Sequence, residues 1–249
     1  MVSASARRTP PPPVNSPAPH NRHPLHARLR AELGLKLALT VALYVCVYAP
    51  YQLLQRHQFF PATEMPLSQW DRAIPFWPQS VWVYLSIYLF MPLAPFVMRE
   101  RRQLLRYARG LVAISLVADA VFIFWPTTCP RPAAADVTGL YRVLTAIDNP
   151  FHACPSLHAA FAVFSALVAD LVTRELKLPS RWRIAAWTWT ALILLATLTT
   201  KQHTLADLAA GGALAFVAFA CVLRKPVPVS PREPDDFSVN AAQPNSTHP

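Results

Sequence analysis

Six apolar runs, each close to the length that crosses a bilayer, constrain this chain more than any other feature. They fall near residues 32–54, 79–98, 108–126, 156–173, 184–200 and 203–223. A hydrocarbon core of about 30 Å takes roughly 20 apolar residues in helical form. Within it every backbone N–H and C=O must be satisfied by the segment itself, and for runs of this kind that means an α-helix. The pattern predicts an all-α polytopic membrane protein with six transmembrane helices in a bundle. A content of 53% hydrophobic and 14% charged residues agrees with this. Three regions are expected: a tail over 1–30, a membrane domain over 31–224 and a tail over 225–249. The tails hold "TPPPPVNSPAPHNRHP" and "KPVPVSPREPDD", which are proline-rich and lack a periodic apolar face, so both are expected to be disordered. The first run begins after the tail and is long enough to span, which reads as an anchor rather than a cleaved leader.

The net charge of +10 is a topology signal. With six spans, both termini lie on one side. Of the 23 Lys and Arg, all but Arg56, Arg72, Arg131, Arg142 and Lys201 fall on that side. By the positive-inside rule the termini are cytoplasmic, as in a multi-pass protein of the cell (inner) membrane. No interleaving of basic and aromatic residues suggests base stacking, so nucleic acid is not an expected partner.

Ionisable residues within spans are costly and need a reason. His158, in "CPSLHAAFA", falls about one turn inside the outer end of the fourth run. "TTKQHTLAD" puts Lys201, His203 and Asp207 at the outer turn between the fifth and sixth, and "CPRP" brings Arg131 to the same face. His203 and Asp207 are four residues apart, one helical turn. A carboxylate there can accept one ring N–H and free the other nitrogen as base or nucleophile. A second histidine can protonate a leaving group. Arg131 and Lys201 supply cationic donors for phosphate oxygens. Pro155 and Ser156 open a helix whose first N–H groups suit an anion. The set reads as phosphoryl transfer through a phosphohistidine, on a lipid phosphate or phosphodiester at the outer membrane face. Taken singly the residues have structural readings: His158 as an interfacial side chain, His203–Asp207 as a helix cap and ion pair, Arg131 as a solvated arginine. A non-catalytic transporter or scaffold could use His158, His203 and Asp207 for proton binding, and a His–His–Asp metal site is a further alternative. Asp119, Asp170 and His152 are weaker candidates. Cys129 and Cys154 share one outer segment and are read either as a disulfide or as two free thiols.

At these residues the chain resembles the type 2 phosphatidic acid phosphatase superfamily. Its motifs are Lys-x6-Arg-Pro, Pro-Ser-Gly-His and Ser-Arg-x5-His-x3-Asp. The first survives here as Arg131-Pro132, with Phe124 at the lysine position. The second is Pro155-Ser156-Leu157-His158, with leucine for glycine. The third keeps His203 and Asp207, with Ala196 and Thr197 at the Ser-Arg positions. "PSLH" followed by "KQH" looks more like the inositol phosphorylceramide synthase-like branch, which moves phosphoryl headgroups between lipids. The resemblance implies His203 as nucleophile, Asp207 as its orienter, His158 as general acid, and Arg131 and Ser156 as phosphate ligands. Lys201 is expected to replace one lost cation. No metal or other cofactor is implied.

Overall fold

The computed structural model describes residues 25–132 and 139–223; the remainder of the two predicted tails lies outside the described residues. In chain order the elements are α1 (Leu25–Arg30), α2 (Leu33–Arg56), β1 (Thr63–Glu64), α3 (Gln69–Ala73), a 3-10 turn (Pro78–Ser80), α4 (Val81–Leu85), α5 (Ile87–Phe90), α6 (Leu93–Val97), α7 (Arg101–Phe124), β2 (Thr127–Thr128), α8 (Leu140–Ile147), α9 (Leu157–Glu175), α10 (Ser180–Thr199) and α11 (Leu205–Val222). Residues 25–30, assigned to the tail by composition, are helical, and the Lys36 Nζ donates to the Arg28 carbonyl at 2.7 Å.

Among the described residues, five helical stretches are long and apolar enough to cross a membrane: Leu33–Arg56, Pro78–Val97, Arg101–Phe124, Leu157–Glu175 and Leu205–Val222. The second is a chain of short helices rather than one rod. Pro92 and Pro95 remove backbone donors there, so the hydrogen-bond ladder is interrupted. The remaining expected span is α10, a helix of 20 residues. Two arginines in its first turn, three tryptophans and four threonines make it less apolar than the others. Asp170 is paired with Arg174 at 2.6 Å and with Arg183, whereas the buried Asp119 Oδ1 has no hydrogen-bond partner.

The centre of the bundle is α9. It packs on α10, α11, α7, α6 and α5, and Ala159, Ala160, Ala162 and Ala166 are fully buried on it. Apolar burial does not drive helices together within lipid, so close packing through small residues must. Gly211 of α11 is the clearest case: a Cβ there would stand 2.3 Å from the Ser156 carbonyl oxygen.

One end of the bundle carries a feature outside the all-helical expectation. β1 and β2 pair in parallel, Thr63 with Thr127 and Glu64 with Thr128, and Thr128 bridges Phe151. The Ala153 N–H donates to Thr127 O at 3.1 Å, and the Cys154 N–H donates to Thr127 Oγ1 at 2.8 Å. Three sequence-distant segments are thus tied directly above the start of α9. Cys129 and Cys154 are buried free thiols in one small cluster with Met65 and Ala153, not a disulfide. Burial, with the Asp207 charge, pushes their thiols up to about 12 and about 11, so both stay protonated and unreactive.

Candidate active site

Two helix starts build the site. Ser156 caps α9, its Oγ accepting from the Ala159 N–H at 3.2 Å, so His158 falls in the first turn. Thr204 caps α11, and His203 immediately precedes it. The Ser156 N–H donates to the Asp207 carbonyl at 3.0 Å, which bonds the two starts to each other. The rings of His158 and His203 lie 6.2 Å apart between centroids, so the structure brings these two sequence candidates together.

The partner expected to orient His203 is different. Asp207 does not hydrogen-bond the ring; its Oδ2 is 3.8 Å from Nδ1. The reason is local. Thr204-Leu205-Ala206-Asp207 forms a capping box, in which Asp207 Oδ2 accepts from the Thr204 N–H at 2.7 Å. His203 therefore lies before the helix, not one turn above the carboxylate on its face. Nδ1 instead meets the Ala153 carbonyl at 2.9 Å. A carbonyl only accepts, so Nδ1 carries the proton and Nε2 keeps its lone pair. The Asp207 carboxylate, fully buried, still sets a negative charge beside the ring.

His158 has neighbours that no spacing pointed to. Its ring stacks on Tyr84 at 4.0 Å and meets the edge of Tyr88 at 6.3 Å. The Tyr84 hydroxyl is 3.3 Å from Nδ1, and the buried Nε2 has no protein partner. Tyr84 thus engages Nδ1, and Nε2 is the nitrogen left for substrate. His152 is a third histidine here, 2% exposed and stacked on Phe122 at 4.6 Å. Burial pushes its pKa down to about 4, only partly opposed by the Asp148 charge, so it is neutral near pH 7.

The expected phosphate ligands are more heavily engaged than foreseen. Arg131 donates to the Asp148 carbonyl at 2.6 Å, the Asp148 carboxylate at 3.3 Å and the Asn149 carbonyl at 3.2 Å. Its buried Nε remains unpaired. Tyr51 and Gln55 of α2 also bond Asp148, at 3.1 and 2.7 Å. Lys201 has a left-handed backbone (φ 53°) and gives two N–H groups to the carbonyls of Asp71 and Ile74, at 2.9 and 2.6 Å. Asp71 in turn accepts the Leu205 N–H at 2.8 Å, fastening α3 to the start of α11. Burial alone raises the Asp71 carboxyl, but bonds from Ser68 and Leu205 and the Lys201 charge hold it below the usual carboxylate range.

His203 lines two spaces. On one side is an apolar cleft between α2, α5, α6, α7 and the start of α9, which also touches His152 and His158. On the other is a cavity of about 280 Å³ lined by Asp71, Arg72, Arg131 and Lys201. Among the described residues no group of three or more His, Cys, Asp or Glu is arranged to hold a metal ion.

A family model described as the PAP2 superfamily matches residues 63–221, which include both histidines, Asp207, Arg131, Ser156 and Lys201. The chain belongs to the PAP2 superfamily. Members of that superfamily are generally phosphatases or phosphotransferases, and the several apolar helices make this one a multi-pass membrane protein. No curated protein and no solved structure matches the chain.

Proposed function

We propose that the protein is a lipid phosphatase or phosphotransferase that works through a phosphohistidine on His203. One observation carries this reading: the 2.9 Å bond from His203 Nδ1 to Ala153 leaves Nε2 unprotonated, beside a second histidine at the head of an apolar cleft. In the first step His203 Nε2 attacks phosphorus. The bond from phosphorus to the leaving oxygen breaks, and His158, entering the step as an imidazolium with its Nδ1–H donating to the Tyr84 oxygen, supplies that oxygen's proton from Nε2 and is left neutral. The buried Asp207 carboxylate offsets the positive charge that develops on the His203 ring. In the second step a hydroxyl gives its proton to His158 and attacks the phosphohistidine, which regenerates both rings. Water in this role makes a phosphatase and an alcohol a phosphotransferase. "PSLH" followed by "KQH" resembles the inositol phosphorylceramide synthase-like branch, in which the acceptor is an alcohol. Arg131, through its unpaired Nε, and the start of α9 at Ser156 are the proposed phosphate contacts, with the remaining Lys201 N–H as an added donor.

The 20 residues of α10 reach about 30 Å, enough to cross. With it as a sixth span, the distribution of basic residues supports cytoplasmic termini and a site on the outer face of the cell membrane. The test is labelling with a lipid phosphate radiolabelled in its phosphate, quenched in alkaline detergent. Wild type should carry an acid-labile, base-stable label that His203→Ala lacks. Turnover should fall by about 10²–10⁴-fold in His158→Ala and in His203→Ala. Label persisting in His203→Ala overturns the scheme. Release of free phosphate with and without an added lipid alcohol separates the two acceptors.

A further inference from the structure

The apolar cleft beside His203 has a floor. It runs along α2 from Tyr51, level with the histidines, to Lys36 at the other end. At a helical rise of ~1.5 Å per residue, Lys36 to Tyr51 spans roughly 22 Å. Between those ends the wall is hydrocarbon and aromatic ring apart from Thr40, whose hydroxyl is turned to the Lys36 carbonyl at 2.8 Å, with Leu39, Leu43, Pro95 and Leu104 in its lower part. Lys36 is 2% exposed, and its ammonium is pinned by the carbonyls of Arg28 at 2.7 Å and Phe96 at 2.8 Å. These bonds join α1, α2 and the end of α6 directly below the cleft. A methyl end that reached this point would have to displace the ammonium from both carbonyls, leaving buried polar groups unpaired.

We infer that the cleft holds one acyl chain of the lipid substrate, with its methyl end down, and that Lys36 sets the longest chain that fits. The inference rests on the proposed lipid-phosphate chemistry for the identity of the headgroup. The occupant is a lipid chain because the cleft is apolar, is walled by membrane-crossing helices and opens at its head onto the two histidines. Its length exceeds one leaflet, half of a hydrocarbon core of about 30 Å. The chain is therefore drawn past the bilayer midplane, and an extended palmitoyl or stearoyl chain matches that depth.

The test uses full-length protein in vesicles, with phosphatidic acid carrying a photoactivatable diazirine at the chain end or near the ester. The chain-end probe should label residues around Lys36, Pro95 and Leu104. The ester-proximal probe should label around Tyr51 and His152. Unlabelled lipids then compete. Very long chains should compete about tenfold less well than palmitoyl in wild type, the scale of forcing extra methylenes into a filled space. Lys36→Met should remove that difference, and Lys36→Arg should keep it. Labelling spread over the outer face of α2, or equal competition by all chain lengths in wild type, overturns the inference. His203→Ala keeps the labelling pattern if the cleft is right, whatever its turnover, so failure of the chemistry and failure of the ruler give different results.

Discussion

Gly211→Ala tests whether the proposed catalytic geometry depends on the contact between α9 and α11. The added Cβ would meet Ser156 O at 2.3 Å, Ala159 Cβ at 3.1 Å and Ala160 N at 3.2 Å. The nearest of these is backbone, so no side chain can swing away. Reaching the 3.4 Å of ordinary contact opens the helices by about 1 Å. That opening falls on the turn that carries His158 and stretches the 3.0 Å Ser156–Asp207 bond. Overpacking of this kind costs about 1–3 kcal/mol of stability, and a misplacement of about 1 Å in a catalytic pair costs on the order of 10²-fold in rate. Gly212 is the internal control. A Cβ there meets nothing within 4 Å, and alanine is the better helix former by about 1 kcal/mol. Phosphate release from a lipid phosphate and thermal unfolding in detergent, run on both variants, give the answer. Gly211→Ala should lose most of its turnover and unfold earlier, while Gly212→Ala should be active and at least as stable as wild type. Equal activity in the two variants refutes the link between the helix contact and the site.

Two further perturbations are informative. Tyr84→Phe keeps the ring stacked on His158 and removes only the hydroxyl at 3.3 Å; losing one hydrogen bond of about 0.5–1.5 kcal/mol should lower kcat about three- to tenfold with KM little changed. An unchanged kcat would show that the tyrosine merely packs. His152→Gln tests a pH response. Burial lowers the folded-state pKa of His152 from 6.5 to about 4, so the unfolded chain binds the proton first and the folded state loses stability as pH falls between those values. Unfolding temperatures from pH 7 to pH 5 should drop less in the variant than in wild type, and parallel drops would assign the acid sensitivity to other groups.

Much of this arrangement can be read from periodicity and charge. Apolar runs mark the helices, and the convergence of His158 with His203 follows from their placement at one end of neighbouring spans. What periodicity does not resolve is competition for the same atoms. Asp207 at one turn from His203 also sits three residues after Thr204, and the cap takes its oxygen. That signal was present as Thr-x-x-Asp. Arg131 meets Asp148 17 residues further along the chain, and Lys201 meets carbonyls 127 and 130 residues away. Tyr84 reaches His158 from a stretch 74 residues earlier. Such partners are set by how the helices pack, and no local pattern encodes them. The proline-broken second span is legible in hindsight from Pro92 and Pro95.

The hydrogen bond from Ser156 to Asp207 has a consequence for motion. Both histidines belong to one backbone unit, clamped below by Gly211 and above by the strand pair at Thr127. Adaptation to lipids of different bulk must then fall on the far wall of the cleft. That wall is α2, which packs mainly on α7 and also on α6. Amide exchange should record this division as a slow Ser156 N–H facing a faster-exchanging α2, with the reactive nitrogens keeping their spacing while the wall beside them yields.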